Sequence, residues 1–295
     1  MRTTLRLSLL LAALGAAPAA AQAPDAILTL GNGYDISPNQ VYGRFNGWDA
    51  KLDLYVPHDT TRTHPVLIYI HGGGWMFGNK EESAFELLPY LAQGWAVANV
   101  EYRLAEVSLA PAAVADCRCA LRWLVANAKR YHLDPARIVV TGHSAGGHLA
   151  LTTGMAPDGN PFDRECPYSP EAHVAAIVNW FGITDVADLL EGANRQGYAV
   201  GWFGPMLDRE PIARATSPLS MVRAGGPPVI TIHGDADPTV PYQHAVRLHR
   251  ALDAAGVKNQ LITIPKGGHG GFSNPETIRA YRAIFEFLGR AGLTP

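Results

Sequence analysis

The chain has 295 residues, 47% of them apolar and 17% charged, enough to bury one large core at a length where α/β folds commonly remain a single domain. Its 24 Lys and Arg stand against 26 Asp and Glu, so no basic surplus exists to displace counterions from a phosphate backbone. That balance excludes nucleic acid as an expected partner.

Arg2 and Arg6 precede an apolar run from Leu7 to about Ala17, followed by small residues, which is the layout of a secretory signal peptide. The run is shorter than the roughly 20 residues that a permanent membrane helix needs, so no stable membrane anchor is expected. Two small-x-small sites compete, Ala19-Ala20-Ala21 and Ala21-Gln22-Ala23. The first is favoured, because the second places Pro24 directly after the cut. Cleavage after Ala21 takes the net charge from -2 to -4 and leaves residues 22–295 as one secreted or periplasmic domain.

Strand-like and helical runs then alternate. Lys51 to Val56 alternates as a half-buried strand, and Val66 to Ile70 is a continuous apolar one. Trp95 to Tyr102 follows, then an amphipathic helix over about Pro111 to Tyr131. A strand from Arg137 to Thr141 runs into a serine motif, with a helix at Leu149 to Met155 beyond it. Val174 to Trp180, Pro228 to His233 and Gln260 to Ile264 complete the strands, with helices near Tyr242 to Ala255 and Pro275 to Gly289. This alternation predicts an α/β fold, a mostly parallel central sheet with helices on both faces and a ligand site beyond the carboxyl ends of the strands. The interval Ile183 to Leu219 resists regular assignment and is expected to be a lid or binding loop.

Three cysteines are present, Cys117, Cys119 and Cys166. Cys117 and Cys119 lie two apart on a predicted helix and face different ways, which leaves either of them with Cys166, or three free thiols. No C-x-x-C or H-E-x-x-H pattern occurs, so no metal site is expected.

Gly142-His143-Ser144-Ala145-Gly146 matches G-x-S-x-G between a strand and a helix, the setting in which a tight turn exposes a nucleophilic hydroxyl. Upstream, His71-Gly72-Gly73-Gly74-Trp75 follows a strand. Glycines there let backbone N–H groups approach a developing oxyanion, and Gly73, Gly74 and Ala145 are the expected donors. His233-Gly234-Asp235-Ala236-Asp237 offers two acids, nearly equal on the residues alone, with Asp237 deeper in the loop and Asp235 suited to holding the turn. His269 lies in Lys266-Gly267-Gly268-His269-Gly270-Gly271 after the last strand. Ser144, Asp237 and His269 arrive in the order Ser, Asp, His of the α/β-hydrolases, a constellation that needs no cofactor.

Together with Tyr102-Arg103-Leu104, Asp116, Asp134-Pro135-Ala136-Arg137-Ile138 and Ser217-Pro218-Leu219, these motifs resemble the bacterial BD-FAE-like esterases, close to the hormone-sensitive-lipase-like carboxylesterases, from about residue 50 to 290. The resemblance implies an α/β-hydrolase fold, Ser144 as nucleophile, His269 as base, and the last Asp of H-G-x-x-D, Asp237, as the orienting acid. It maps the oxyanion glycines onto Gly73 and Gly74.

Two departures stand out. Position 143 is often acidic in these relatives and is His143 here, packing beside the nucleophile or exerting a pH-dependent influence. The large N-terminal cap of hormone-sensitive-lipase relatives has no room before the first strand, which leaves the 183–219 interval to control access, with Trp75, Trp202 and Phe203 as candidate substrate-binding residues.

The implied activity is hydrolysis of small esters, acetyl, short-chain or feruloyl, free or linked to plant polysaccharides. An arylformamidase and a serine peptidase are the alternatives on this fold. An export signal argues against the first and the lack of a preceding propeller against the second. A catalytically inactive binding protein is the alternative of another class, and the complete triad argues against it.

Overall fold

The computed structural model describes Gly31, residues 33–168 and residues 171–295. The segment expected to be a signal peptide, residues 1–21, lies outside the described residues. Tyr34–Pro295 form one compact unit.

Among the described residues, eight strands build one sheet: β1 (Tyr34–Phe45), β2 (Trp48–Pro57), β3 (His64–Ile70), β4 (Ala96–Val100), β5 (Leu133–His143), β6 (Ala176–Trp180), β7 (Val229–Gly234) and β8 (Asn259–Ile264). Their order is β1-β2-β4-β3-β5-β6-β7-β8, antiparallel from β1 to β4 and parallel from there to β8. This is the expected α/β-hydrolase fold. Every residue of β3, β4, β6 and β7 is buried, which is why those segments are apolar without alternation: helices cover both faces. Among the described residues from Tyr34 on, the helices are α1 (Ala84–Leu91), α2 (Ala112–Asn127), α3 (Ala145–Met155), α4 (Gly197–Phe203), α5 (Arg209–Ala215), α6 (Gln243–Ala254) and α7 (Asn274–Arg290).

Two elements depart from the sequence reading. β1 is a twelve-residue edge strand whose alternation is broken by register shifts at Ser37/Gln40 and Val41/Gly43, where Pro38 and the positive φ of Asn39 fit. α1 carries Pro89 inside only eight residues, so neither periodicity nor propensity marks it. The 183–219 interval is also more ordered than expected. It holds α4, α5 and three 3-10 turns, each too short to show a helical period. Cys119 and Cys166 form a disulfide that ties α2 to the segment after α3, and Cys117 is free and buried.

Candidate active site

The serine turn is held by contacts that allow nothing larger than hydrogen on its glycines. A Cβ on Gly146 would stand 2.1 Å from the Ile70 carbonyl oxygen, and one on Gly142 2.5 Å from the same oxygen. With the backbone clamped between β3 and α3, Ser144 adopts φ 57° and ψ -118°, a strained conformation of the kind that costs about 1–3 kcal/mol and needs such a clamp. Its N–H donates to the Trp180 carbonyl at 2.9 Å, fixing the turn to β6.

The three residues from the ends of β5, β7 and β8 meet here. Ser144 Oγ donates to His269 Nε2 at 2.8 Å, and His269 Nδ1 donates to Asp237 Oδ2 at 2.7 Å. The Asp237 carboxylate is fully buried. Its Oδ1 accepts the N–H groups of Thr239 and Val240 at 2.8 and 2.9 Å, and His233 Nε2 lies 3.3 Å from Oδ2. Burial by itself would raise this carboxyl, but hydrogen bonds from His233, His269 and the Val240 N–H outweigh it and hold the group well below the usual carboxylate range. Asp237 is therefore an anion able to fix the His269 tautomer. Asp235 instead accepts the Lys266 N–H at 2.5 Å, pinning the loop after β7 to the loop after β8.

The glycine loop after β3 packs against the serine turn: a Cβ on Gly72 would meet the His143 carbonyl oxygen at 2.9 Å and Ser144 Cβ at 3.8 Å. Gly73 has φ 104°, and its carbonyl accepts the Met76 and Phe77 N–H groups, both at 3.0 Å. Among the described residues, the N–H groups of Gly73 and Gly74 have no protein acceptor. Ala145 opens α3, so its N–H has no intrahelical partner. All three expected donors thus keep an N–H without a protein acceptor, Ala145 directly after Ser144 and Gly73 and Gly74 directly after Gly72, which packs on the serine turn. Tyr102 Oη donates to the carbonyls of His71 and Gly72 at 3.1 and 3.0 Å, and Arg103 grips the buried Asp116. The sequence motif Tyr102-Arg103 thereby supports this loop from below.

Trp75, Trp202 and Phe203 require a correction: each is fully buried, so none presents surface to a ligand. The two indoles stack at 4.2 Å, and Trp75 Nε1 donates to His148 Nδ1 at 3.2 Å. His148 in turn donates from Nε2 to the Thr216 carbonyl at 2.8 Å, and burial pushes this imidazole down to about 4. These aromatics are the wall that locks the glycine loop to the 183–219 interval. Two residues that the sequence does not mark as site residues pack at the triad and the glycine loop. Phe181 meets the His269 ring edge-on at 4.8 Å. Tyr198 lies where a Cβ on Gly74 would fall, 3.0 Å from its own Cβ, and donates to the Thr239 carbonyl at 3.1 Å. Neither has a motif. Only their places, after a buried strand and inside the irregular interval, hinted at them.

Among the described residues no group of three or more His, Cys, Asp or Glu is arranged to hold a metal ion, and no helix is long and apolar enough to cross a membrane. A cavity of about 850 Å³, lined by Arg103, Leu109, Pro157, Phe162 and Ile212 among others, includes none of Ser144, Asp237 or His269.

The BD-FAE family model matches residues 52–252. Esterase LipC of Mycobacterium tuberculosis is 30% identical over 229 residues, covering 74% of this chain and 56% of LipC. The probable carboxylic ester hydrolase LipM of the same organism is 33% identical, covering 72% and 49%. The chain thus spans about half the length of these curated relatives. Among solved structures, the apo form of Thermogutta terrifontis esterase 2 superposes with a TM-score of 0.75 at 27% identity, covering 89% of this chain and 96% of that one. A truncated carbohydrate esterase from gut microbiota gives 0.73 at 28%, covering 88% and 97%.

Proposed function

The chain belongs to the BD-FAE family, and from that premise we propose that it is a secreted serine carboxylic-ester hydrolase acting on small esters through an acyl-enzyme. One observation carries the reading: the unbroken relay from Ser144 Oγ through His269 to the buried Asp237, at 2.8 and 2.7 Å, beside three spare backbone N–H groups. His269 takes the serine proton as Oγ attacks the ester carbonyl, and Asp237 stabilises the imidazolium that forms. The N–H groups of Gly73, Gly74 and Ala145 receive the negative charge on the carbonyl oxygen. Collapse passes the proton to the leaving alcohol and leaves acyl-Ser144, which water activated by His269 then hydrolyses.

Support for small acyl groups comes from relatives: Thermogutta terrifontis esterase 2 has been solved with butyrate and with propionate bound. The carbohydrate esterase among the structural relatives and the N-terminal export pattern together favour acetyl or feruloyl-type esters on plant polysaccharides, or short-chain esters outside the cytoplasm. Hydrolysis of a p-nitrophenyl ester series and of acetylated and feruloylated xylan fragments tests this. Activity that falls beyond short acyl chains and drops on the order of a millionfold in Ser144→Ala is expected. Preference for long acyl chains would overturn the small-ester reading.

A further inference from the structure

His143 is the one polar side chain of the serine motif that the mechanism leaves unused. Its ring lies parallel to the neighbouring Trp180, with centroids 5.1 Å apart and planes 26° apart, and meets Phe181 at 5.5 Å. Its Nδ1 is 2.7 Å from the hydroxyl of Tyr69 on β3. Phe181, held at φ 40° with its N–H on the Ile232 carbonyl at 2.8 Å, also meets His269, edge-on at 4.8 Å. A continuous row of rings therefore runs from Tyr69 through His143 and Phe181 to the His269 imidazole.

Resting on the ester-hydrolase reading, we propose that His143 is a positioning residue: a neutral imidazole, pinned by Tyr69, that holds Phe181 edge-on to His269 and keeps positive charge away from the ring that must accept the serine proton. The tyrosine hydroxyl, kept protonated by burial, donates to Nδ1 and leaves the ring proton of His143 on Nε2. Burial first, and His269 second, push His143 down to about 4, so it is uncharged when His269 works. The titratable groups around this row are few. Tyr69 faces His143 from β3, with Glu86 and Tyr90 of α1 and Tyr281 of α7 facing Tyr69, and Tyr281 also meets Trp180. His269, already paired with Asp237, faces His143 from the loop after β8. Among the described residues, burial and His269 are what act on the charge of the His143 ring, and no anion is among them to compensate a charge placed there. An imidazolium there would oppose the imidazolium that His269 becomes, whereas a carboxylate there would favour it.

Imidazole nitrogen–proton NMR of the folded protein tests this without substrate. Wild-type His143 is expected as a single Nε2–H tautomer at neutral pH, and Tyr69→Phe as a mixture. His143→Glu is expected to raise the His269 midpoint by about one pH unit, within the range that a nearby opposite charge produces, while His143→Gln leaves it in place. The acidic limb of kcat/KM on p-nitrophenyl acetate should move with it. A folded His143→Glu protein whose His269 titrates as in wild type overturns the proposal. Should that variant not fold, an unchanged single tautomer in Tyr69→Phe overturns it instead. The hydrolase reading fails separately: a wild-type protein with no Ser144-dependent turnover, alongside the expected His269 shift in His143→Glu, would sink that reading and leave the coupling of His143 to His269 standing.

Discussion

Two aspartates two positions apart have opposite assignments here, and each has its own expected phenotype. In Asp237→Asn the amide sets an N–H against His269 Nδ1 or leaves a weakened acceptor, so the wrong tautomer gains and kcat should fall by about 10⁴. Asp235→Asn keeps an oxygen able to accept the Lys266 N–H and should leave kcat near wild type. Steady-state kinetics of the two purified variants decide it, and equal losses in both would contradict the assignment. On the residues alone the two acids were nearly even, because loop depth is a statement about three dimensions. The serine was legible because its requirement is local: Gly142 and Gly146 leave room for backbone oxygens that any side chain would strike. Trp75, Trp202 and Phe203 differ from the sequence expectation because an aromatic near a glycine loop has the same sequence signature whether it faces a substrate or, as here, other rings.

Among the elements, the glycine loop after β3 depends most on unusual backbone geometry. A Cβ on Gly73 would lie 2.0 Å from the Phe77 carbonyl oxygen, at φ 104°. Gly73→Ala is therefore expected to lower stability by about 1–3 kcal/mol, measured by urea melts, and to lower kcat by roughly 100-fold or more as the oxyanion donors shift. Wild-type values for both would mean that the loop is not under the stated constraint. β3 and β7, which lead to the glycine loop and to Asp237, are readable because burial on both faces makes them continuous apolar runs. β1 is not, since an edge strand with Pro38 and two register shifts loses its period of two. The 183–219 interval hid α4 and α5 for a related reason: seven residues give under two helical turns. α4 nevertheless brings Tyr198 against both Gly74 and Thr239, which links the oxyanion loop to the acid loop.

At the scale of the whole molecule, histidines depressed by burial, His143 among them, impose a pH dependence on folding. Burial, as the largest cause, pushes His71, His148 and His244 each down to about 4, while an unfolded chain protonates histidine near 6.5. Their folded values lie below their unfolded ones, so their stabilisation is complete above about pH 6.5 and is lost progressively as pH falls toward 4. Asp237, also depressed, extends the loss to lower pH. Thermal melts should show Tm falling between pH 6.5 and 4, and a flat Tm across that window would refute the neutral burial of these rings. The central claim, that distant loops converge to make Ser144 a nucleophile, has a more direct check. Treated with a fluorophosphonate and digested, the folded protein should yield one adduct in peptide mass spectrometry, on the serine of Gly142–Gly146, with labelling strongly slowed in His269→Ala. No adduct on folded wild type, or labelling of Ser144 that is indifferent to His269, would contradict it.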